Sequence, residues 1–407
     1  MYKVHRLRQQ PSMALSREHI ATRLRKLRED VGMTQASVAA ELGLHRPAVS
    51  EMEAGRRGIT AEELYRLATL YGVAVSEILS ESVPADDAAD LLALRYVGGA
   101  APPVVALRRF VAERRAEFEL EAMLDLPHPP LSAIRRDAPS PRTIKDAGNQ
   151  GENLARLERR QLDLGTGPVA SVLHILARQG VRIGPLRALP TDQIDGVYFE
   201  SSDLGPCVGV NWRDGDWTGG RAAFTAAHEY AHVILRDRTK ELFQLVPVER
   251  DLQEVRANAF AAAFLMPEEG LRQYFAGKGL LRGQALPHLA PGDVVRAMDF
   301  FGVSRTALLY RLRNLALLEQ SVAAALADFS VAAVALAAGI AFRERQYIGT
   351  RLPELAIHAW RTGLITAGRA ADLCGIDLAE FRTLMEQLGE RQEADEDDPL
   401  LGAAAGE

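Results

Sequence analysis

His228-Glu229-Tyr230-Ala231-His232 has the residue types and spacing of a metal site that hydrolyses peptide bonds. The motif lies in Arg221 to Leu235, a run without Pro or Gly in which Phe224, Ala227, Ala231 and Leu235 recur at helical spacing. Helix positions four apart share a face, so both imidazoles reach one ion from the same side. Zinc accepts neutral imidazole nitrogens at about 2.0–2.1 Å, and two such ligands supply half a tetrahedron. Glu229 stands beside the first ligand, where a carboxylate can accept a proton from water at the metal. Two His and a Glu at these offsets also arise by chance, so a third ligand has to separate site from accident.

One is available downstream. Glu254 to Pro267, "EVRANAFAAAFLMP", is a second uninterrupted helical run that Pro267 ends. Glu254 and Asn258 share a face, and Val255, Ala259, Phe260 and Ala262 are expected to pack this helix against the first. Glu254 then completes a shell of two His and one Glu with an open position for water. Asn258 is placed to hold a ligand His by its other ring nitrogen. The alternative is a solvated helix edge with no ligand role.

"RAAFTAAHEYAHVIL" followed by "EVRANAFAAAFLMP" resembles the ImmA/IrrE family of zinc metallopeptidases over roughly 150–316. The resemblance implies Zn²⁺ held by His228, His232 and Glu254, Glu229 as catalytic base, and a zincin-like domain. It also implies a protein substrate, since family members cleave a repressor to switch on phage, mobile-element or stress genes. A metzincin would need Gly and His where Leu235 and Arg238 stand.

The first eighty residues carry a different chemistry. "HIATRLRKLREDVGMTQASVAAELGLHRPAVSEMEAGRRGITAEELYRLATLYGVAVSEIL" reads as five short helices. Ile20, Leu24 and Leu27 give the first an apolar face. Thr34 can cap a second helix through Leu42, Gly43 makes the turn, and His45 to Glu53 form a third with Ala48, Val49 and Met52 inward. Such an arrangement inserts its second helix into the DNA major groove. The stretch resembles the Xre/Cro-type helix-turn-helix family at "GMTQ", "LG" and "EAGRR". By that resemblance Gln35 meets the phosphate backbone, His45, Arg46, Ser50 and Glu51 face base edges or phosphates, and Arg56 and Arg57 touch the backbone. Acidic and basic residues nearly balance there, so binding as a homodimer on a palindromic double-stranded operator is expected.

Bulk properties set limits on the whole. At 407 residues the chain has room for two to four domains, and 47% hydrophobic with 25% charged residues is ordinary for soluble protein. A net charge of −6 gives no global attraction to nucleic acid, so any DNA face must be local. The two cysteines, Cys207 and Cys374, suit a reducing cytosol. "MYKVHRLRQQPSMALSR" is basic but lacks the apolar core of a secretory signal. Val322 to Phe342 is rich in Ala but interrupted by Asp328 and Ser330, which reads as helix packing and not a membrane span. A cytoplasmic protein without membrane partners is expected.

These readings imply a mainly α fold with a small β-sheet (α+β). The expected order is a flexible basic arm (1–18), a five-helix DNA-binding domain (19–82), a helical linker (83–150), a metallopeptidase domain (151–316), a C-terminal helical domain (317–390) and an acidic disordered tail (391–407). Within the linker, Val104 to Leu124 reads as a long helix with a solvated charged face, and 135–151 as mobile chain. Asn153 to Leu164 reads as a helix, and "VASVLHILARQGVRI" as a helix leading into a strand. Val197–Phe199 and Val208–Trp212 form a hairpin that could hold extended peptide beside the metal. Residues 298–318 and 363–385 have helix-turn-helix shapes and read as scaffold. The oxyanion-stabilising residue is not fixed by the sequence; Tyr198 and His174 are candidates. The leading function is a DNA-binding transcriptional regulator that carries a zinc endopeptidase and cleaves a repressor or itself. The alternative is a non-proteolytic, antitoxin-like repressor whose metal domain is a sensor or interaction module.

Overall fold

Among the described residues, strands fall between Arg182 and Val210, in runs that combine Gly with Val, Tyr, Phe and Cys; helices make up most of the remainder. The computed structural model describes residues 17–71, 73, 75–79, 104–126, 135–186, 195–201, 204–211, 220–236, 252–342 and 351–396. The fold is mainly α with a small sheet. The expected basic arm up to residue 16, Trp212 and the acidic tail beyond 396 lie outside the described residues. The chain divides into two compact units, 1–112 and 113–407.

In the first unit, α1 (Arg17–Asp30), α2 (Gln35–Leu42), α3 (Arg46–Glu53), α4 (Ala61–Tyr71) and α5 (Val75–Ile78) enclose Leu24, Val38, Val49, Met52, Leu67 and Tyr71. Local chemistry sets the helix ends. Thr34 Oγ1 accepts from Ser37 N at 3.1 Å, and Ser37 Oγ accepts from Thr34 N at 3.0 Å. Gly43 takes the left-handed conformation (φ 69°) that turns α2 into α3. Arg28 Nε donates to Glu53 at 2.6 Å and ties α1 to α3.

Helix α6 (Val104–Met123) runs across the boundary between the units. Three of its charges are not solvated as the sequence suggested, although Glu119 is exposed. Arg114, Glu117 and Glu121 are buried, because Arg114 donates to Ile183 O at 2.6 Å and Glu121 pairs with Arg182 at 2.7 Å and with Arg351 at 2.8 Å. Buried charge is tolerated when it is paired in this way.

After α6, the second unit continues with α7 (Ile144–Gln161) and α8 (Val172–Arg178), then β1 (Arg182–Pro185), β2 (Gly196–Ser201) and β3 (Gly205–Val210). The sheet order is β1-β3-β2; β1 runs parallel to β3, and β2 pairs antiparallel as an edge strand. Two long helices follow, α9 (Gly220–Leu235) and α10 (Leu252–Leu265). Helix α10 lies between α7 and α9, so it is covered on two sides. For that reason its deepest residues are Ala257, Phe260, Ala261 and Phe264, and Val255, Ala259 and Ala262 are only partly buried. Phe260 and Phe264 stack at 5.2 Å, with Tyr230 edge-on to each at 5.7 Å.

The linker reading fails at 144–151, which forms the first half of α7 with Thr143 as its N-cap. Gly151 is there for proximity and not for flexibility. A Cβ on it would lie 2.8 Å from Phe260 N and 2.8 Å from Ala259 Cβ, so α7 and α10 meet backbone to backbone.

The end of α10 is closed by guanidinium groups. Arg159 donates to Phe264 O, and Arg311 Nε donates to Met266 O at 3.1 Å while pairing with Glu152. Arg311 belongs to α13 (Arg305–Asn314), which follows α11 (Glu268–Gly277) and α12 (Pro291–Phe301). The α12–α13 pair turns at Gly302 (φ 65°) and buries Val294, Phe301, Leu308 and Leu312 in the main core. Gly220, the first residue of α9, sits where a Cβ would be 2.5 Å from Ser304 N.

Residues 320–342 form α14 (Gln320–Ala325) and α15 (Val331–Ala337), packed on that core. No helix among the described residues is long and apolar enough to cross a membrane. Last come α16 (Arg351–Arg361), α17 (Ala367–Cys374) and α18 (Leu378–Glu396), with Leu352, Leu355, Ala356 and Ala359 packed on Ala116 and Leu120.

Candidate metal centre

Helix α9 presents His228 and His232 on one face, and α10 brings Glu254 to them. The two Nε2 atoms are 3.2 Å apart; Glu254 Oε2 is 3.0 Å from His228 Nε2, and Oε1 is 3.3 Å from His232 Nε2. Three ligands at zinc distances on a tetrahedron would be separated by about 3.3–3.4 Å. The donor set therefore fits a small divalent cation. Among the described residues, this is the group of His, Cys, Asp and Glu able to hold one. The imidazoles beside Glu254 hold its carboxyl well below the usual carboxylate range.

Asn258 sits one turn beyond Glu254, and its Oδ1 accepts from His228 Nδ1 at 3.1 Å. An amide oxygen can only accept, so Nδ1 carries the proton and Nε2 keeps its lone pair for the metal. Asn258→Ala should weaken the binding of a divalent metal to this cluster about 10–100-fold. Competition against a chelator measures this, and an unchanged affinity would remove Asn258 from the site.

Glu229 turns to the sheet side of α9 and is buried. Burial pushes its carboxyl above the ordinary range, an effect the two imidazoles oppose. Strand β2 passes directly over it at Gly196. The next motif residue, Tyr230, points into the core and donates to Glu158 Oε2 at 3.0 Å, and Glu158 accepts from Arg136 Nε at 2.9 Å. Tyr198 is buried and donates to Glu200 at 3.0 Å; His174 is exposed on α8. Neither belongs to the ligand cluster.

In the first unit, His45, Arg46, Glu51 and Arg56 are exposed and Ser50 is half-buried, all on α3 or at its ends. Gln35 and Arg57 are committed within the unit: Gln35 Nε2 donates to Glu53 at 2.9 Å, and Arg57 pairs with Glu63 at 2.7 Å. The turn between α17 and α18 copies that between α2 and α3. Thr366 and Gly375 frame an eight-residue helix as Thr34 and Gly43 do, and Gly375 (φ 73°, ψ 28°) matches Gly43 (φ 69°, ψ 29°). At the positions of His45 and Arg46, however, the second copy has Asp377 and Leu378, which offer a phosphate nothing.

Two protein-family models match the chain. One, the IrrE N-terminal-like domain of the M78 peptidases, covers 177–313; the other, a helix-turn-helix, covers 24–78. The chain joins a helix-turn-helix domain to an IrrE-like peptidase domain. The IrrE-like match includes both histidines, Glu229, Glu254 and the Arg311 that closes α10. No curated protein matches the chain. Among solved structures, the crystal structure of ComR from Streptococcus suis is 13% identical over 95% of this chain and 97% of that one, with a TM-score of 0.16. At that score the likeness carries no structural argument.

Sequence reasoning missed Gly196, Gly151 and the caps from Arg159 and Arg311. No local signal marks them, since each acts on a segment far away in the chain.

Proposed function

We propose that the chain is a DNA-binding transcriptional regulator with a zinc-dependent endopeptidase, acting in the cytoplasm as a homodimer and cleaving a repressor, another regulatory protein or itself. The observation that carries the peptidase reading is the convergence of His228, His232 and Glu254 at tetrahedral spacing with Glu229 alongside. Zn²⁺ bound there supplies a Lewis acid that polarises a scissile carbonyl and acidifies water. Glu229 accepts the proton of the attacking water and delivers it to the leaving amine. Its burial keeps that carboxylate out of bulk solvent, and Asn258 keeps His228 in the ligating tautomer. Strand β2, at the edge of the sheet and beside Glu229, is the candidate to hold an extended peptide. In the other unit, Arg46 and Arg56 supply phosphate contacts, and His45, Ser50 and Glu51 read bases from α3. Gln35 and Arg57 join them by exchanging Glu53 and Glu63 for phosphate.

The test is metal analysis of the full chain, followed by mass spectrometry after incubation with the regulator encoded beside it, with and without operator DNA. One zinc per chain and chelator-sensitive cleavage of that regulator or of the chain itself are expected. Zinc without cleavage would leave a non-proteolytic repressor with a metal-binding module; no zinc would remove the metal reading as well.

A further inference from the structure

Gly196 opens β2 opposite Val210, and the strand is anchored on both sides of that point. Asp195 O accepts from Asn211 N at 2.8 Å, and the Asp195 carboxylate pairs with Arg221, in the first turn of α9, at 2.7 Å. Gly196 lies outside the left-handed region, so its backbone conformation does not demand glycine. Space does. A Cβ there would stand 2.7 Å from Glu229 Oε1 and 3.1 Å from Glu229 Cγ, and would collide with Thr225 Cγ2. The bare strand backbone is therefore the wall against which the Glu229 carboxylate rests.

We infer that Gly196 is a positioning residue for the base: the missing side chain fixes where Glu229 Oε1 lies, and a residue of any size there displaces the carboxylate from the attacking water. This rests on the peptidase reading above. It separates two neighbours. Thr225 limits only the room for strand and helix to pack, whereas Glu229 Oε1 is the group that must stay in place. Removing Thr225 Cγ2 restores packing room without moving a Cβ away from Glu229.

The experiment compares the zinc-loaded full chain with Gly196→Ala, Thr225→Ala and the double variant. Thermal midpoint, zinc content, affinity for acetohydroxamic acid (a metal chelator that also bonds to the base carboxylate) and cleavage rate are measured for each. Thr225→Ala should match the parent in zinc content and in acetohydroxamic acid affinity. The double variant should regain the parent's midpoint and zinc content, yet bind acetohydroxamic acid roughly tenfold more weakly and turn over roughly a hundredfold more slowly with KM little changed. Recovery of hydroxamate affinity and turnover together with stability would make Gly196 a packing residue only and overturn the inference. Failure of the double variant to fold would also overturn it, because the packing conflict would then lie elsewhere. If the parent binds zinc but cleaves nothing, the peptidase reading fails, and the hydroxamate comparison still decides whether Gly196 places Glu229.

Discussion

Glu229→Gln is expected to cut peptide hydrolysis by about 10²–10⁴-fold while the protein keeps its zinc and its fold. The amide matches the carboxylate in size, so it fits the buried space bounded by Gly196 and Thr225. It cannot take a proton from water, and the shuttle to the leaving amine is lost with it. The ligands His228, His232 and Glu254 are untouched, and the α3 surface lies in the other unit. Zinc content, DNA binding and cleavage should therefore separate in one variant. Equal cleavage by variant and parent would show that another group is the base. Repression and its release unaffected by the change would favour the non-proteolytic regulator.

Gly151→Leu should lower stability by about 3 kcal/mol or more, since overpacking at a backbone contact cannot be absorbed by a rotamer change. The added side chain would push α7 off α10 at Ala259 and Phe260, immediately after Asn258 and about one and a half turns from Glu254. For a unit of this size the thermal midpoint should fall by roughly 5 °C, with weaker zinc binding. Gly148, in the same helix, has nothing within 4 Å of the point where a methyl group would stand, so Gly148→Ala should be neutral or stabilising by up to about 1 kcal/mol. A midpoint unchanged in Gly151→Leu would mean that the two helices do not meet backbone to backbone.

The ligand cluster was legible because its parts are local: His at i and i+4, and Glu254 with Asn258 on one face of an uninterrupted run. The turn at Gly43 was legible for the same reason. What the sequence hid is nonlocal. "RRFVAERRAEFELE" looks solvated until Ile183, Arg182 and Arg351 are known to meet its charges. "TIKDAGNQG" has the composition of a loop, yet the second of its two glycines, Gly151, serves a helix a hundred residues on. The turns at Gly43, Gly302 and Gly375 look alike in sequence. Burial separates the second, whose helices are in the core, and side-chain chemistry separates the third, where Asp377 and Leu378 replace His45 and Arg46.

The guanidinium closure of α10 bears on the order of synthesis. A ribosome releases α9 and α10 well before Ser304 and Arg311, which seat Gly220 and take up Met266 O. The first unit needs no such wait, since its Arg28–Glu53 link spans only 25 residues. On the proposed function, a nascent chain would hold DNA while the His228, His232 and Glu254 cluster is still unmade, and proteolysis would be confined to finished molecules. Chains truncated after Phe300 should leave zinc unbound, and chains extending past Gln320 should retain it; tight zinc binding by the shorter ones would refute that order.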